Sequence, residues 1–266
     1  MLLKGRTVLI TGSTAGIGLA AARSFAAEGC NVVLNGIEGE EMGSALAQSI
    51  QDDFGTDAFF DSADVGDHHA IEEMFATAIN RFGKVDIVVN NAVVRFFGPV
   101  EETEPADWDR AISVNLTSAF HTIRLALPAM RKQGWGRIIN VSSVFGTLAT
   151  SDRASYITTK TALLGLTRAI AMETLSSGIT CNSVCPGAVN TSRSGSMIDA
   201  MVADSGISED EAKAKFLVGR QPDGSFVESD SVAAMMVFLC GSASGSITGA
   251  SFPIDGGWTV TSVVGQ

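Results

Sequence analysis

Along the chain, short runs of β-branched and apolar residues alternate with longer stretches in which apolar residues recur at helical spacing. The runs at 7–11, 31–35, 57–60, 85–89, 137–141, 179–184 and 251–254 predict seven strands. Between them the spacing predicts helices over 17–28, 40–52, 67–82, 107–132, 154–176 and 229–240. Strand and helix taking turns in this way calls for right-handed crossovers and a parallel sheet covered by helices on both faces, a doubly wound, Rossmann-type α/β fold. Strands covered on both faces need no polar side, which accounts for the nearly unbroken apolar run Val85-Asp86-Ile87-Val88-Val89. No linker rich in Pro, Gly or Ser, no repeat and no low-complexity tract divides residues 1–266, so a single domain is expected. One segment breaks the rhythm: residues 191–226 hold an extra helical stretch, roughly 197–216, after the sixth strand. That is where such a fold builds a substrate lid.

Composition narrows the class. With 45% hydrophobic and 18% charged residues the chain suits many buried strands and does not suit disorder. A net charge of −11 argues against a general affinity for nucleic acid, and the acidic runs such as Glu209-Asp210-Glu211 read as solvated helix faces. The apolar stretches fall well short of the ~20 residues a bilayer span needs, and residues 1–6 show no cleavable apolar leader. A cytoplasmic protein without membrane partners is expected. Cys30, Cys181, Cys185 and Cys240 lie in apolar surroundings without metal-like pairing and read as buried thiols; no metal is expected.

The first strand runs directly into Gly12-Ser13-Thr14-Ala15-Gly16-Ile17-Gly18 and a helix begins at once. Glycines there allow a tight turn and close backbone approach, so a pyrophosphate can rest on the free N–H groups at the positive end of the helix. The spacing is G-x-x-x-G-x-G, not the common G-x-G-x-x-G, and its position after the first buried strand gives it weight. At the tip of the second strand Asn35 can hydrogen-bond a ribose hydroxyl. No Arg or Lys lies between Asn31 and Gln51, and a 2′-phosphate would meet Glu38, Glu40 and Glu41, so NAD is expected over NADP. Asp64 and Val65, after the third strand, are expected beside the adenine.

Ser143, Tyr156 and Lys160 carry the strongest chemical signal, with thirteen residues from serine to tyrosine and four from tyrosine to lysine. Positions i and i+4 share a helix face, so Lys160 can stand beside the phenol. An ammonium there stabilises phenolate and brings the tyrosine toward acid–base work near neutrality. Ser143, at a strand end, can hydrogen-bond a substrate oxygen as its charge changes.

Taken together, Thr11-Gly12-x-x-x-Gly16-Ile17-Gly18, Asn90-Asn91-Ala92, Asn115, Ser143, Tyr156-x-x-x-Lys160 and Pro186-Gly187 resemble the short-chain dehydrogenase/reductase family over essentially the whole chain. The resemblance implies a catalytic tetrad of Asn115, Ser143, Tyr156 and Lys160. In it Tyr156 exchanges the proton, Lys160 lowers its pKa and holds the ribose, Ser143 polarises the substrate oxygen and Asn115 anchors a relay water. Read from its own sequence position alone, Asn115 is a helix-interior residue bonded to backbone. The resemblance also places Asn90, Pro186, Gly187, Val189 and Thr191 at the cofactor. Within the family, Val33-Leu34-Asn35-Gly36, Gln221-Pro222 and Asp255-Gly256-Gly257-Trp258-Thr259 are similar to bacterial D-3-hydroxybutyrate dehydrogenases. Those enzymes hold the substrate carboxylate with Gln, His and Lys where this chain has Arg95, Phe145 and Arg153. Their Trp after Pro-Gly is Ala188 here, and Gly after Asn-Asn-Ala is Val93. The pocket, lined by Arg95, Ser143, Phe145, Arg153, Tyr156, Ala188 and Trp258, is expected to differ in shape.

Two arginines suit a hydroxy or oxo acid, whereas Phe96, Phe97 and Phe145 suit a bulkier neutral ketone. Two further readings stay open at this point: an NADPH-dependent 3-oxoacyl or ketone reductase, and a dinucleotide-binding protein without turnover. The resemblance also implies a homotetramer joined through helices 107–132 and 154–176.

Overall fold

A computed structural model describes residues 1–261; the last part of the expected 1–266 domain, 262–266, lies outside the described residues. Strands β1 (Thr7–Ile10), β2 (Asn31–Asn35), β3 (Ala58–Asp61), β4 (Ile87–Asn90), β5 (Gly136–Val141), β6 (Ile179–Pro186) and, last in the chain, β9 (Ser251–Ile254) form one parallel sheet in the order β3-β2-β1-β4-β5-β6-β9. Helices α1 (Gly16–Ala27), α2 (Glu40–Phe54) and α3 (His68–Phe82) follow the first three strands, and α4 (Pro105–Ile112) and α5 (Ser118–Gln133) lead from β4 to β5. Helix α6 (Ala154–Glu173) joins β5 to β6, and α9 (Ser229–Cys240) precedes β9.

Alternate side chains of each strand serve two cores. Val8, Ile10, Val32, Leu34, Ile87 and Val89 pack with α1 and α9 on one face. Leu9, Val33, Val88 and Ile138 pack with α3 and α5 on the other. Because both sets are buried, the strands carry no polar alternation. The strand start expected at Val85 moves to Ile87. Asp86 in between is fully buried, its carboxylate bonded to Arg6 Nη1 at 2.8 Å, to the Thr7 amide at 3.0 Å and to Lys84 at 3.0 Å. Connections leave β1 in one direction and β4 in the other, so a crevice opens where their carboxyl ends part.

Two expected helices come out differently. The single helix over 107–132 begins earlier, with Pro105 in its first turn, and is interrupted by a π-helical turn at Ser113–Thr117. The single helix over 197–216 is two, α7 (Ser192–Ser205) and α8 (Glu209–Leu217). Gly206, with φ of 65°, ends α7 in the left-handed conformation. Ser208 and Glu211 then cap α8 reciprocally. Both ends of this excursion are pinned by short strands β7 (Val189–Asn190) and β8 (Val227–Glu228), paired in parallel.

Candidate active site

The carboxyl ends of β1, β4, β5 and β6 border a cleft of about 470 Å³ that runs from Gly12, past Glu38 and Asp64, to Tyr156 and Trp258. At its floor Thr11 closes β1: its hydroxyl accepts hydrogen bonds from the Asn91 and Ala92 amides at 3.0 and 3.1 Å. Gly12 turns at φ of 62°, and a Cβ there would stand 2.9 Å from Ala92 Cα. Helix α1 starts with no side-chain cap at Ala15, which leaves its first N–H groups facing the cleft beside Thr14, Gly16 and Ile17. Gly18 lies beneath this turn, not at the cleft wall.

Asn35 is consumed by structure. Its side-chain oxygen accepts from the Gly12 amide at 3.4 Å, and its nitrogen donates to the Asp61 and Ala63 carbonyls at 3.1 and 2.8 Å. The group left free at the tip of β2 is Glu38, which folds over Gly36 and has a buried carboxylate oxygen with no hydrogen-bond partner. Asp64 and Val65 line the cleft; Asp64 bonds the Gly66 amide at 2.8 Å and Arg110 at 2.9 Å. Burial raises the Asp64 pKa, and Arg110 more than offsets it, holding the carboxyl below its usual range. Asn90 is below the floor, bonded to Asn140 at 2.8 Å and Thr122 at 2.6 Å. Its neighbour Asn91 lines the cleft instead and ties the glycine turn through the Thr11 and Gly12 carbonyls.

At the other end, Ser143 stands two residues beyond β5 and caps a short 3-10 turn by accepting from the Phe145 amide at 3.2 Å. Tyr156 and Lys160 lie one turn apart in α6, both buried. The Lys160 ammonium donates to the Val141 carbonyl at 2.7 Å and stands 5.8 Å from the Tyr156 ring centre. Burial raises the Tyr156 pKa, but Lys160, then Arg95, then the Ser143 hydroxyl pull the other way and leave it below the ordinary tyrosine range. Burial, with Arg95 adding to it, brings Lys160 down to about 8. Arg95 is 5.2 Å from the Tyr156 ring centre, so its charge bears on the phenol directly.

Asn115 occupies the π-helical turn, and its side chain grips one residue of the segment after β4. Its oxygen accepts from the Val94 amide at 2.8 Å, and its nitrogen donates to the Val94 carbonyl at 2.9 Å and to Thr159 at 3.3 Å. The side chain is therefore bonded to backbone, and it couples the β4 exit to the turn of α6 between Tyr156 and Lys160. Pro186, Gly187, Ala188, Val189 and Thr191 border the cleft, with Thr191 capping α7. The Ala188 amide is held by buried Gln221. Phe145 packs edge-on to Trp258 at 5.5 Å and to Tyr156 at 6.3 Å. Arg153 stacks on Phe97 and Phe145 at 4.8 and 5.2 Å. The sequence sets Glu38 where a 2′-phosphate would lie, but it gives no site role to Asn91, Arg193 or Arg220, which also line the cleft.

A family model described as enoyl-(acyl carrier protein) reductase matches residues 12–259. The chain is 40% identical over 257 residues to a D-beta-hydroxybutyrate dehydrogenase of Cupriavidus necator, covering 97% of this chain and 99% of that one. It is 39% identical over 254 residues to the enzyme of the same name from Rhizobium meliloti, covering 96% and 98%. A solved structure of L-sorbose reductase from Gluconobacter frateurii, complexed with NADPH and L-sorbose, superposes with a TM-score of 0.93 at 27% identity, covering 98% of this chain and all of that one.

Proposed function

This chain belongs to the short-chain dehydrogenase/reductase family, whose members here act on CH–OH groups and their ketones, and we propose that it is an NAD-dependent dehydrogenase of a hydroxy acid related to 3-hydroxybutyrate. The observation that carries this reading is the buried phenol of Tyr156, held below the ordinary tyrosine range by Lys160 and Arg95, at the end of a cleft whose other end is a glycine turn.

The cleft fits a dinucleotide on three counts: uncapped amides at the start of α1, a Gly12 that admits no Cβ, and an unpartnered Glu38 oxygen where an adenosine ribose would lie. When bound, the nicotinamide supplies or receives the hydride. The residues of this chain do the rest. Tyr156 takes the carbinol proton during oxidation and returns it during reduction. Lys160 and Arg95 stabilise the phenolate that stands ready before oxidation and is left after reduction, and Ser143 donates to the substrate oxygen as it gains charge. Asn115 acts as a positioning residue through Val94 and Thr159. A rise in absorbance at the reduced-nicotinamide band, with NAD and a panel of secondary alcohols, tests the reading; no turnover of any of them would end it.

Glu38 supports NAD over NADP. A carboxylate accepts from ribose hydroxyls and repels a 2′-phosphate, and a charge-assisted hydrogen bond of this kind is worth roughly 10- to 100-fold in affinity. Wild type is therefore expected to favour NAD in kcat/KM by about that factor, and Glu38→Gln to narrow the ratio. Equal use of the two cofactors by wild type would overturn the assignment.

A further inference from the structure

Four arginines stand at the substrate end of the cleft: Arg95 after β4, Arg153 before α6, Arg193 in α7 and Arg220 beyond α8. The first two belong to the body of the domain and the last two to the excursion over it. Arg153 and Arg193 both lie against the ring of Phe97, at 4.8 and 5.7 Å, so one aromatic side chain joins the two groups. Arg220 stacks on Phe216 at 4.1 Å and donates to its carbonyl at 2.9 Å. Burial and then its cationic neighbours depress Arg193, the neighbours being Arg95 and Arg153; for Arg220 burial comes first and Arg153 second. The four charges thus converge on Arg153.

Among the described residues, no acidic side chain pairs with any of them. The chain has 29 acidic residues against 18 basic ones, so partners are abundant and are kept away from this place. Cations drawn together in a partly desolvated site are costly until a counter-charge arrives. A single carboxylate beside Arg95, close to the reacting carbon, would leave Arg153, Arg193 and Arg220 uncompensated.

Resting on the dehydrogenase reading above, we propose that the substrate carries two anionic groups, one on each side of the reacting carbinol, with the second held by Arg153 together with Arg193 and Arg220. The second anion bridges body and excursion and draws α7 and α8 down onto the cleft. Carboxylate and phosphate share the chemistry that guanidinium recognises.

The test uses the NAD-loaded enzyme and the matched pair 3-hydroxybutyrate and 3-hydroxyglutarate, which differ by one carboxylate, with 3-hydroxy-4-phosphobutyrate, a carboxylate and a phosphate on opposite sides of the carbinol, as the phosphate arm. The last two, each with two anionic groups, are the dianions compared below. A dianion is expected to exceed 3-hydroxybutyrate in kcat/KM by roughly 10- to 100-fold, the better of the two dianions identifying the group. The double variant Arg193→Gln/Arg220→Gln is expected to collapse that ratio toward one. Turnover of 3-hydroxybutyrate equal to or better than both dianions overturns the inference and leaves the dehydrogenase reading intact. A wild-type preference that survives unchanged in the double variant also overturns it, as when Arg193 serves the cofactor and both substrates suffer alike. Calorimetry on the NADH-loaded protein separates the remaining cases. Tight binding of 3-hydroxyglutarate with no turnover of any of the three substrates sinks the dehydrogenase reading and supports the two-anion site, and neither binding nor turnover of any dianion sinks the site.

Discussion

Replacing Tyr156 by phenylalanine is expected to lower kcat by roughly 10²- to 10⁴-fold, the usual range for a lost acid–base group. The change removes one oxygen from a buried ring that otherwise keeps its contacts with Phe145 and Arg95, so thermal unfolding should barely move while turnover collapses. The pH profile separates chemistry from packing. In the direction of alcohol oxidation the phenol must be ionised, so the wild-type rate rises with pH through an inflection below the ordinary tyrosine range. Removing a nearby cation destabilises phenolate, so Lys160→Ala moves that inflection upward and Arg95→Gln moves it less far. Lys160 itself loses its proton at about pH 8, which withdraws its help and levels the profile above that point. A Tyr156→Phe enzyme that keeps kcat within tenfold of wild type would remove the phenol from the reaction.

Much of this site can be read in the chain because its chemistry is local. Tyr156 and Lys160 meet through helix geometry alone, and Ser143 sits at a strand end that the apolar pattern marks. The glycine turn follows from its place after the first strand. Features that depend on how distant segments approach are less visible. Asn35 looks like the ribose contact because it ends β2, yet Asp61 and Ala63, from the neighbouring strand and its exit, consume its amide and leave Glu38 as the unpartnered group at that tip. Asn90 faces α5 and bonds Thr122, while the next residue turns into the cleft, a one-residue choice that strand pairing makes. Arg193 and Arg220 lie in the excursion, and only its folding back over Phe97 brings them near Arg153. The break between α7 and α8 was legible in principle, from Gly206 and the Ser208-x-x-Glu211 capping pattern, which a helical period read across both hides.

Gly18→Ala is expected to destabilise the protein by about 1–3 kcal/mol, which for a domain of this size is a fall of several degrees in Tm, and to raise KM for NAD at least about tenfold. In an exposed helix the same change would stabilise by roughly 1 kcal/mol, and the reversal comes from what lies over this position. A Cβ at Gly18 meets the Gly12 carbonyl oxygen, with Asn91 Nδ2 at 2.7 Å and Ser13 Cα at 2.8 Å. None of these can swing aside. Two are backbone atoms of the cofactor turn, and the third is an amide fixed by bonds to the Thr11 and Gly12 carbonyls at 3.0 and 2.7 Å. The methyl must therefore push α1 away from the turn and part Asn91 from Gly12, which spoils the cradle and the β1–β4 junction together. Gly195→Ala, in α7 with open space around its Cβ, serves as the control and should hold or gain stability by a few tenths of a kcal/mol. Were Gly18→Ala to melt with that control and keep its KM, the close approach of α1 to the glycine turn could not be what holds the dinucleotide.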